Sequence, residues 1–165
     1  MRGLMDRRSL TLAGISLLGL LVAAPQVSFA QSSNPMVGTW KLNLEKSKFA
    51  SGPAPKSLTL NYQPDGQNFK NIAQGVDPQG NQGTGTYLHI YDGQSHPTTG
   101  VPGVDASAYT RVDANTVIFS RSKEGKLVAI GVIVVSQDGK TNTVTNTGAG
   151  VTSGIGTDVS VFEKQ

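Results

Sequence analysis

The chain of 165 residues contains no cysteine. Disulfide bonds, thiol nucleophiles, thiolate metal sites and lipid attachment through an N-terminal cysteine are therefore excluded. Charged residues make up only 15% of the sequence and form no Lys/Arg run of the kind that binds nucleic acid or an anionic membrane surface. Beyond residue 30 no segment shows a sustained helical period, so we do not expect helices to build the domain.

Residues 1–30 have the three-part layout of a secretory signal peptide. A positive head with three arginines precedes an apolar run over residues 10–24, and small residues at Ser28 and Ala30 precede the expected cleavage before Gln31. The apolar run of about 15 residues is shorter than the roughly 20 needed to cross a bilayer, so we expect no membrane anchor after cleavage. Removing this segment lowers the formal net charge from +3 to +1, because three arginines and one aspartate are lost.

The export route is left open between two alternatives. Arg7-Arg8-Ser9-Leu10 resembles the start of a twin-arginine signal, although Thr11 stands where a second bulky apolar residue is usual. We favour the simpler interpretation, in which the two arginines only supply the positive head. Either route predicts a periplasmic or secreted protein.

The segment from residue 87 to residue 139 repeats a short alternating run followed by a turn with Gly or Asn, as in antiparallel strands. Sequential strands usually pair with their chain neighbours, and closure of such a meander removes its exposed edges. After a flexible leader at residues 31–36, we therefore predict one all-β domain at residues 37–165, an antiparallel up-and-down barrel of eight to ten strands. The expected strands cover residues 37–44, 58–62, 68–74, 84–91, 106–112, 116–121, 127–136, 141–147 and 157–163.

Four features interrupt this regularity. Residues 45–57 form a proline-containing connection with room for one helical turn at most, from which Phe49 plugs the core. Residues 92–105 are the one long irregular segment and a candidate functional loop. Gly131 interrupts the most apolar run and predicts a bulge or a sharp bend, and the glycine-rich stretch 148–156 is expected to be flexible.

The first expected strand carries a family resemblance. Gly38-Thr39-Trp40-Lys41 resembles the Gly-x-Trp opening of the lipocalin and fatty-acid-binding-protein superfamily, and an ordered set of matches over residues 37–165 is similar to bacterial exported lipocalin-like proteins of unassigned function. The further matches are Lys46-Ser47-Lys48-Phe49, Tyr91-Asp92-Gly93 with Pro97 and Gly100, Arg111-Val112-Asp113, and residues 135–140.

The resemblance implies a calycin-type barrel with a central cavity open at one end. Gly38 and Trp40 are then structural residues, and Lys164 is the nearest candidate for the basic residue expected over the tryptophan. The chain departs from the family in having no segment for a two-helix lid and no helix after the last strand. The paired arginines that hold a fatty-acid carboxylate do not map either, so lipid specificity is not carried over.

Several side chains are candidates to line the cavity. Those on the run 87–91 share one face, which either lines the cavity or faces water. The arginines either bind a carboxylate or phosphate of a ligand or form ordinary surface ion pairs. The candidates are Tyr87, His89, Tyr91, Tyr109, Arg111, Phe119 and Arg121.

Catalytic and metal sites are not predicted. His89, Asp92 and His96 have no spacing that gathers them around a metal, and Ser120 with Lys123 lacks the helix that an Ser-x-x-Lys mechanism needs. We therefore expect neither an enzyme nor a cofactor. The favoured function is an exported, monomeric barrel that binds a small apolar or amphipathic ligand. The alternative is an envelope protein-interaction or scaffold module with a filled barrel that acts through residues 92–105.

Overall fold

The computed structural model describes residues 34–149 and 155–165. These residues form ten β-strands. The strands are β1 (Gly38–Lys48), β2 (Ser57–Asp65), β3 (Asn68–Val76), β4 (Gln82–His89), β5 (Ser95–Thr99), β6 (Ala106–Arg111), β7 (Thr116–Lys123), β8 (Lys126–Val135), β9 (Thr141–Ala149) and β10 (Ile155–Lys164). The described residues contain no helix, and accordingly none that could cross a membrane.

Every strand pairs antiparallel with its neighbours in the chain, and β1 pairs with β10 to close the sheet into a barrel. The predicted fold class, an antiparallel up-and-down barrel of eight to ten strands, is thus confirmed with ten. Gly93, Gly125 and Gly139 have positive φ angles in the turns where the sequence predicts them. The predicted signal peptide, residues 31–33 of the predicted leader and residues 150–154 of the stretch expected to be flexible lie outside the described residues.

The segment 92–105 is not the irregular loop that the sequence predicts. It contains β5, which pairs with β4 through Thr98 and Thr99 and with β6 through residues 95–97. The prediction was wrong because Pro97 lacks a backbone N–H and breaks the expected pattern within a strand of only five residues. Residues 95–99 of the candidate loop are therefore part of the barrel wall.

Strand β1 also extends further than predicted, to Lys48, in place of a helical turn near residues 45–49. Its pairing with β10 shifts register between Asn43 and Lys48. Ser47 bridges the irregularity, because its hydroxyl donates to the Asn43 carbonyl oxygen at 2.6 Å and accepts from the Val161 N–H at 2.9 Å. Side-chain hydrogen bonds thus stabilise the C-terminal end of β1, which has no alternating apolar pattern.

Trp40 closes the core at one end of the barrel, as predicted. It is fully buried, and its indole Nε1–H donates to the carbonyl oxygen of Met36 at 2.8 Å. Met36 is itself buried, so core packing begins within the segment that the sequence assigns to the leader. The Lys164 ammonium lies 5.0 Å from the centroid of the Trp40 ring, which confirms Lys164 as the basic residue over the tryptophan. Gly38 has a φ of 127°, and a Cβ there would lie 3.1 Å from Lys164 Cε.

The β1–β2 connection is fastened to β10 at a buried carboxylate. Asp158 accepts hydrogen bonds from the backbone N–H groups of Ala50 and Ser51, both at 2.8 Å, and from the Ser51 hydroxyl. Phe49 packs against the core from this connection, as predicted.

Gly131 lies in continuous register opposite Phe119, so the bulge predicted there is absent from this position. The β7–β8 register shifts instead between Arg121 and Ser122. A Cβ on Gly131 would lie 2.3 Å from the Phe119 ring and 2.2 Å from the Thr145 carbonyl oxygen. The glycine is therefore required by the ring that packs over it.

Candidate functional site

The interior of the barrel contains a group of aromatic side chains centred on His89. Strand alternation buries Tyr87 and His89 on the inward face of β4. The His89 imidazole stacks on the Tyr109 ring with centroids 3.8 Å apart, and the Tyr62 ring meets it edge-on at 5.2 Å. These contacts hold the imidazole in one orientation inside the barrel.

Arg121 extends from β7 across the interior towards β4. Its guanidinium carbon lies 4.6 Å from the Phe119 ring centroid and 5.1 Å from that of Tyr87. Because β5 and β6 separate β7 from β4 in the wall, this double contact shows that the side chain points inward. The two rings stabilise the cation through their π faces.

Several buried polar atoms around these rings have no hydrogen-bond partner within residues 34–149 and 155–165. They include both ring nitrogens of His89, Oδ1 of Asn71, Oδ1 of Asn146 and Nε of Arg121. Both polar side-chain atoms of Asn142 also have no hydrogen-bond partner there. An unsatisfied buried polar group costs about 1–3 kcal/mol, so a cluster of them needs partners.

The imidazole and phenol groups around Arg121 are uncharged at neutral pH. Burial, followed by the charge of Arg121, lowers the pKa of His89 to about 3, so its imidazole is neutral. Burial raises the pKa values of Tyr62 and Tyr109 above the usual phenol value, so both hydroxyls remain protonated. Neutral hydrogen-bonding groups therefore surround the single cation of Arg121.

The depressed pKa of His89 predicts a pH dependence of stability. Because the unfolded chain binds a proton at His89 below about pH 6.5 and the folded chain binds it only near pH 3, the free energy of unfolding should fall as the pH drops through this window. The slope from one such group is at most about 1.4 kcal/mol per pH unit. We expect the His89→Phe variant, measured by urea denaturation between pH 4.5 and 6.5, to lack this slope.

His96→Gln is the matched control, because it removes the only other histidine of the chain and leaves His89 in place. Surface carboxylates such as Asp92 affect the free energy of unfolding at a lower pH than His89 does. The pKa of Asp92 is lowered chiefly by the Gln94 backbone N–H. Equal slopes in the wild type and His89→Phe would show that His89 is not buried in its neutral form.

Two of the predicted cavity residues lie at the edge of this group, where the Tyr91 ring meets the His89 ring edge-on with centroids 6.2 Å apart. Tyr91 is half-buried near the end of β4, where its hydroxyl contacts the Met36 sulfur at 3.7 Å. Arg111 is exposed, with its guanidinium 4.4 Å from the Tyr91 ring centroid and 5.8 Å from that of Phe69. The structure thus brings together Tyr87, His89, Tyr109, Phe119 and Arg121, and places Tyr91 and Arg111 beside them in a second cluster.

Sequence reasoning missed the polar residues of β9, although a signal was present. Threonine occupies positions 141, 143, 145 and 147, so Asn142, Val144 and Asn146 must share the other face. The structure turns that face inward and buries both asparagines. Tyr62, Asn71 and Asp158 were also missed, because nothing in the sequence fixes which face of β2, β3 or β10 points inward.

The residues considered for metal binding are separated. His89 is inside the barrel, while His96 Nε2 lies 3.0 Å from both carboxylate oxygens of Asp92 at the surface. Within the described residues, no three His, Asp or Glu side chains are grouped as a metal would require.

Two grooves lie on the outside of the barrel. One, of about 560 Å³, crosses β6 to β9 and is lined by outward side chains such as Ile118, Ile130 and Thr145. The other, of about 340 Å³, lies where β2, β3 and β4 meet, beside Gly75 and Gly83.

The chain matches no protein-family model and no curated protein. Among solved structures it is similar to a redesigned β-barrel, mFAP1, bound to DFHBI. The two have 16% sequence identity and a TM-score of 0.42, over 80% of this chain and 96% of that chain. Membership of the lipocalin-like group stays a prediction.

Proposed function

We propose that this protein is exported and that its barrel binds one small amphipathic molecule among the interior aromatic rings. The observation that carries the proposal is the set of unpartnered buried atoms on Asn71, His89 and Asn146. A ligand with an apolar body and a few hydrogen-bonding groups would pack against the rings and pair these atoms. Export and a periplasmic or secreted location are part of this proposal, supported by the layout of residues 1–30.

The test is native mass spectrometry of protein purified from its own cell envelope, followed by thermal-shift screening of a metabolite and lipid panel. We expect a bound small molecule in the native spectrum and a raised melting temperature with compounds of that class. A bare mass together with no shift across the panel would contradict the proposal. Ordered water can also satisfy buried polar atoms. A bare mass with no thermal shift would therefore indicate that water, and not a ligand, pairs with these atoms.

A matched pair of variants locates the ligand. Asn146→Leu replaces an unsatisfied buried amide by an apolar side chain of similar size, so the free protein should be at least as stable as the wild type. We expect this variant to lose the ligand-induced shift. Ile130→Lys, at a half-exposed position in the outer groove, should keep it. The reverse result would place the ligand in the outer groove.

A second candidate function, partner binding by a filled barrel, is favoured by the groove that crosses β6 to β9. Ile118 and Ile130 are 48% and 53% exposed beside it, which is unusual for adjacent isoleucines on a solvent-facing wall. Because β5 makes residues 95–99 part of the wall, these isoleucines are better placed for a contact than that strand. Loss of a pull-down partner in Ile130→Lys, with the ligand shift unchanged, would support this function.

A further inference from the structure

We propose that the ligand of the interior site carries an acidic group, a carboxylate or a phosphate monoester, which pairs with Arg121. This inference rests on the proposed function, since it names the chemical class of the molecule in the same site. Its basis is the contrast between Arg121 and the buried acid of the barrel, Asp158.

Arg121 has no acidic partner in the part of the chain that the structure describes. The acidic side chains that contact a basic residue there are Glu163 beside Lys46, Asp92 beside His96 and Asp105 beside Lys123. The Arg121 Nε–H is buried and also has no hydrogen-bond acceptor within those residues. An Arg with an open Nε–H presents one side of the donor fork that binds carboxylate and phosphate oxygens.

The buried carboxylate of Asp158 does not serve as that partner. Its oxygens accept hydrogen bonds from the backbone and hydroxyl groups of the Ala50–Ser51 segment. The interior acid is therefore used in fastening a loop, whereas the interior cation is held only by the faces of Phe119 and Tyr87. Aromatic faces attract a cation but supply no hydrogen-bond acceptor in its plane.

The wall on the other side of Arg121 carries only small side chains. Arg121 pairs with Ala129 on β8, and Ala129 pairs with Gly148 on β9. Gly148 in turn pairs with Gly156 on β10, so these residues form one row across the wall. None of the other three residues in the row has a side chain larger than a methyl group. The far end of the row is covered by Ala50, whose carbonyl carbon would lie 2.8 Å from a Cβ on Gly156.

The surrounding groups favour an acid over a second cation or a neutral end group. Near Arg121, Tyr87 and Tyr109 present phenol groups and His89 presents a neutral imidazole. An anion here meets one positive charge and no free carboxylate among the described residues. A neutral ligand would leave the half-buried charge of Arg121 uncompensated.

The test compares acids with neutral analogues built on the same skeleton. Phenylalkyl carboxylic acids, the corresponding phosphate monoesters and the corresponding primary amides are titrated into the full mature protein at pH 7 by calorimetry. We expect at least one acid series to bind about tenfold to a hundredfold more tightly than its amide, because a charge-assisted hydrogen bond is lost in the amide. The carboxylate and phosphate series distinguish the two sources of negative charge.

The Arg121→Gln variant should remove this preference and leave amide affinity within about twofold, whereas Arg121→Lys should keep part of it because the charge remains without the fork. Near-UV circular dichroism of Trp40 reports whether each variant is folded. Amides that bind as tightly as acids, or acid affinity unchanged in folded Arg121→Gln, would overturn this inference and leave the proposed function intact. If no compound of any series binds and none copurifies, both fail.

Discussion

Replacing Trp40 by alanine is expected to lower the free energy of unfolding by about 3–5 kcal/mol. The ring is fully buried among the core residues, so its removal leaves a cavity at one end of the barrel. It also leaves the Met36 carbonyl oxygen without the indole donor and the Lys164 ammonium without the ring beneath it. Because a domain of this size is stable by only about 5–15 kcal/mol, the loss is a large share of the total. Urea denaturation followed by far-UV circular dichroism measures it without relying on tryptophan fluorescence.

Two further variants separate the contributions to this effect. Trp40→Phe keeps most of the apolar volume but loses the hydrogen bond to Met36, so we expect a loss of about 1–3 kcal/mol. Val112→Ala, at a position that is 60% exposed, should change stability by no more than about 0.5 kcal/mol. A loss below 1 kcal/mol in Trp40→Ala, at an unchanged denaturant slope, would show that the ring does not close the core.

The strands that could be predicted from sequence are those in which alternation and turn chemistry agree. In β4, Tyr87 and His89 alternate with Thr86 and Leu88 and are followed by the turn at Gly93, so both the strand and its shared face were recognised. The extended end of β1 and the short β5 were missed for local reasons. The end of β1 is stabilised by the side-chain hydrogen bonds of Ser47, and Pro97 interrupts the strand pattern of β5.

Which face of each strand points inward could not be derived from hydrophobicity. In β8 both faces are apolar, and the structure leaves Ile130 and Val134 exposed while it buries Ile133 and Val135. In β9 the buried face carries two asparagines rather than only apolar residues. Closure of the whole barrel determines which face of each strand points inward, and closure depends on the pairing of all ten strands at once. The interior polar atoms therefore became evident only in three dimensions.

Deletion of residues 94–103 is expected to prevent the barrel from folding. The deletion removes β5 together with its pairing to β4 and β6 and the buried hydrogen bond between Thr98 and Ser107. The barrel cannot close by joining β4 directly to β6, because in an up-and-down order these two strands run in the same direction. Parallel neighbours need a crossover of about a dozen residues or more, and the deletion leaves only a short link. Far-UV circular dichroism during a thermal melt should show no cooperative transition.

Pro102→Ala, at an exposed position in the same segment, is the matched control and should leave the melting temperature nearly unchanged. The pair of results discriminates between the two roles considered for residues 92–105. A partner-binding loop could be deleted with little effect on folding, whereas a wall strand could not. If the deleted protein melts cooperatively within a few degrees of the wild type, β5 is dispensable and the closed ten-strand wall that positions Arg121 and His89 is wrong. If it does not fold while Pro102→Ala does, then the segment is required for closure of the barrel.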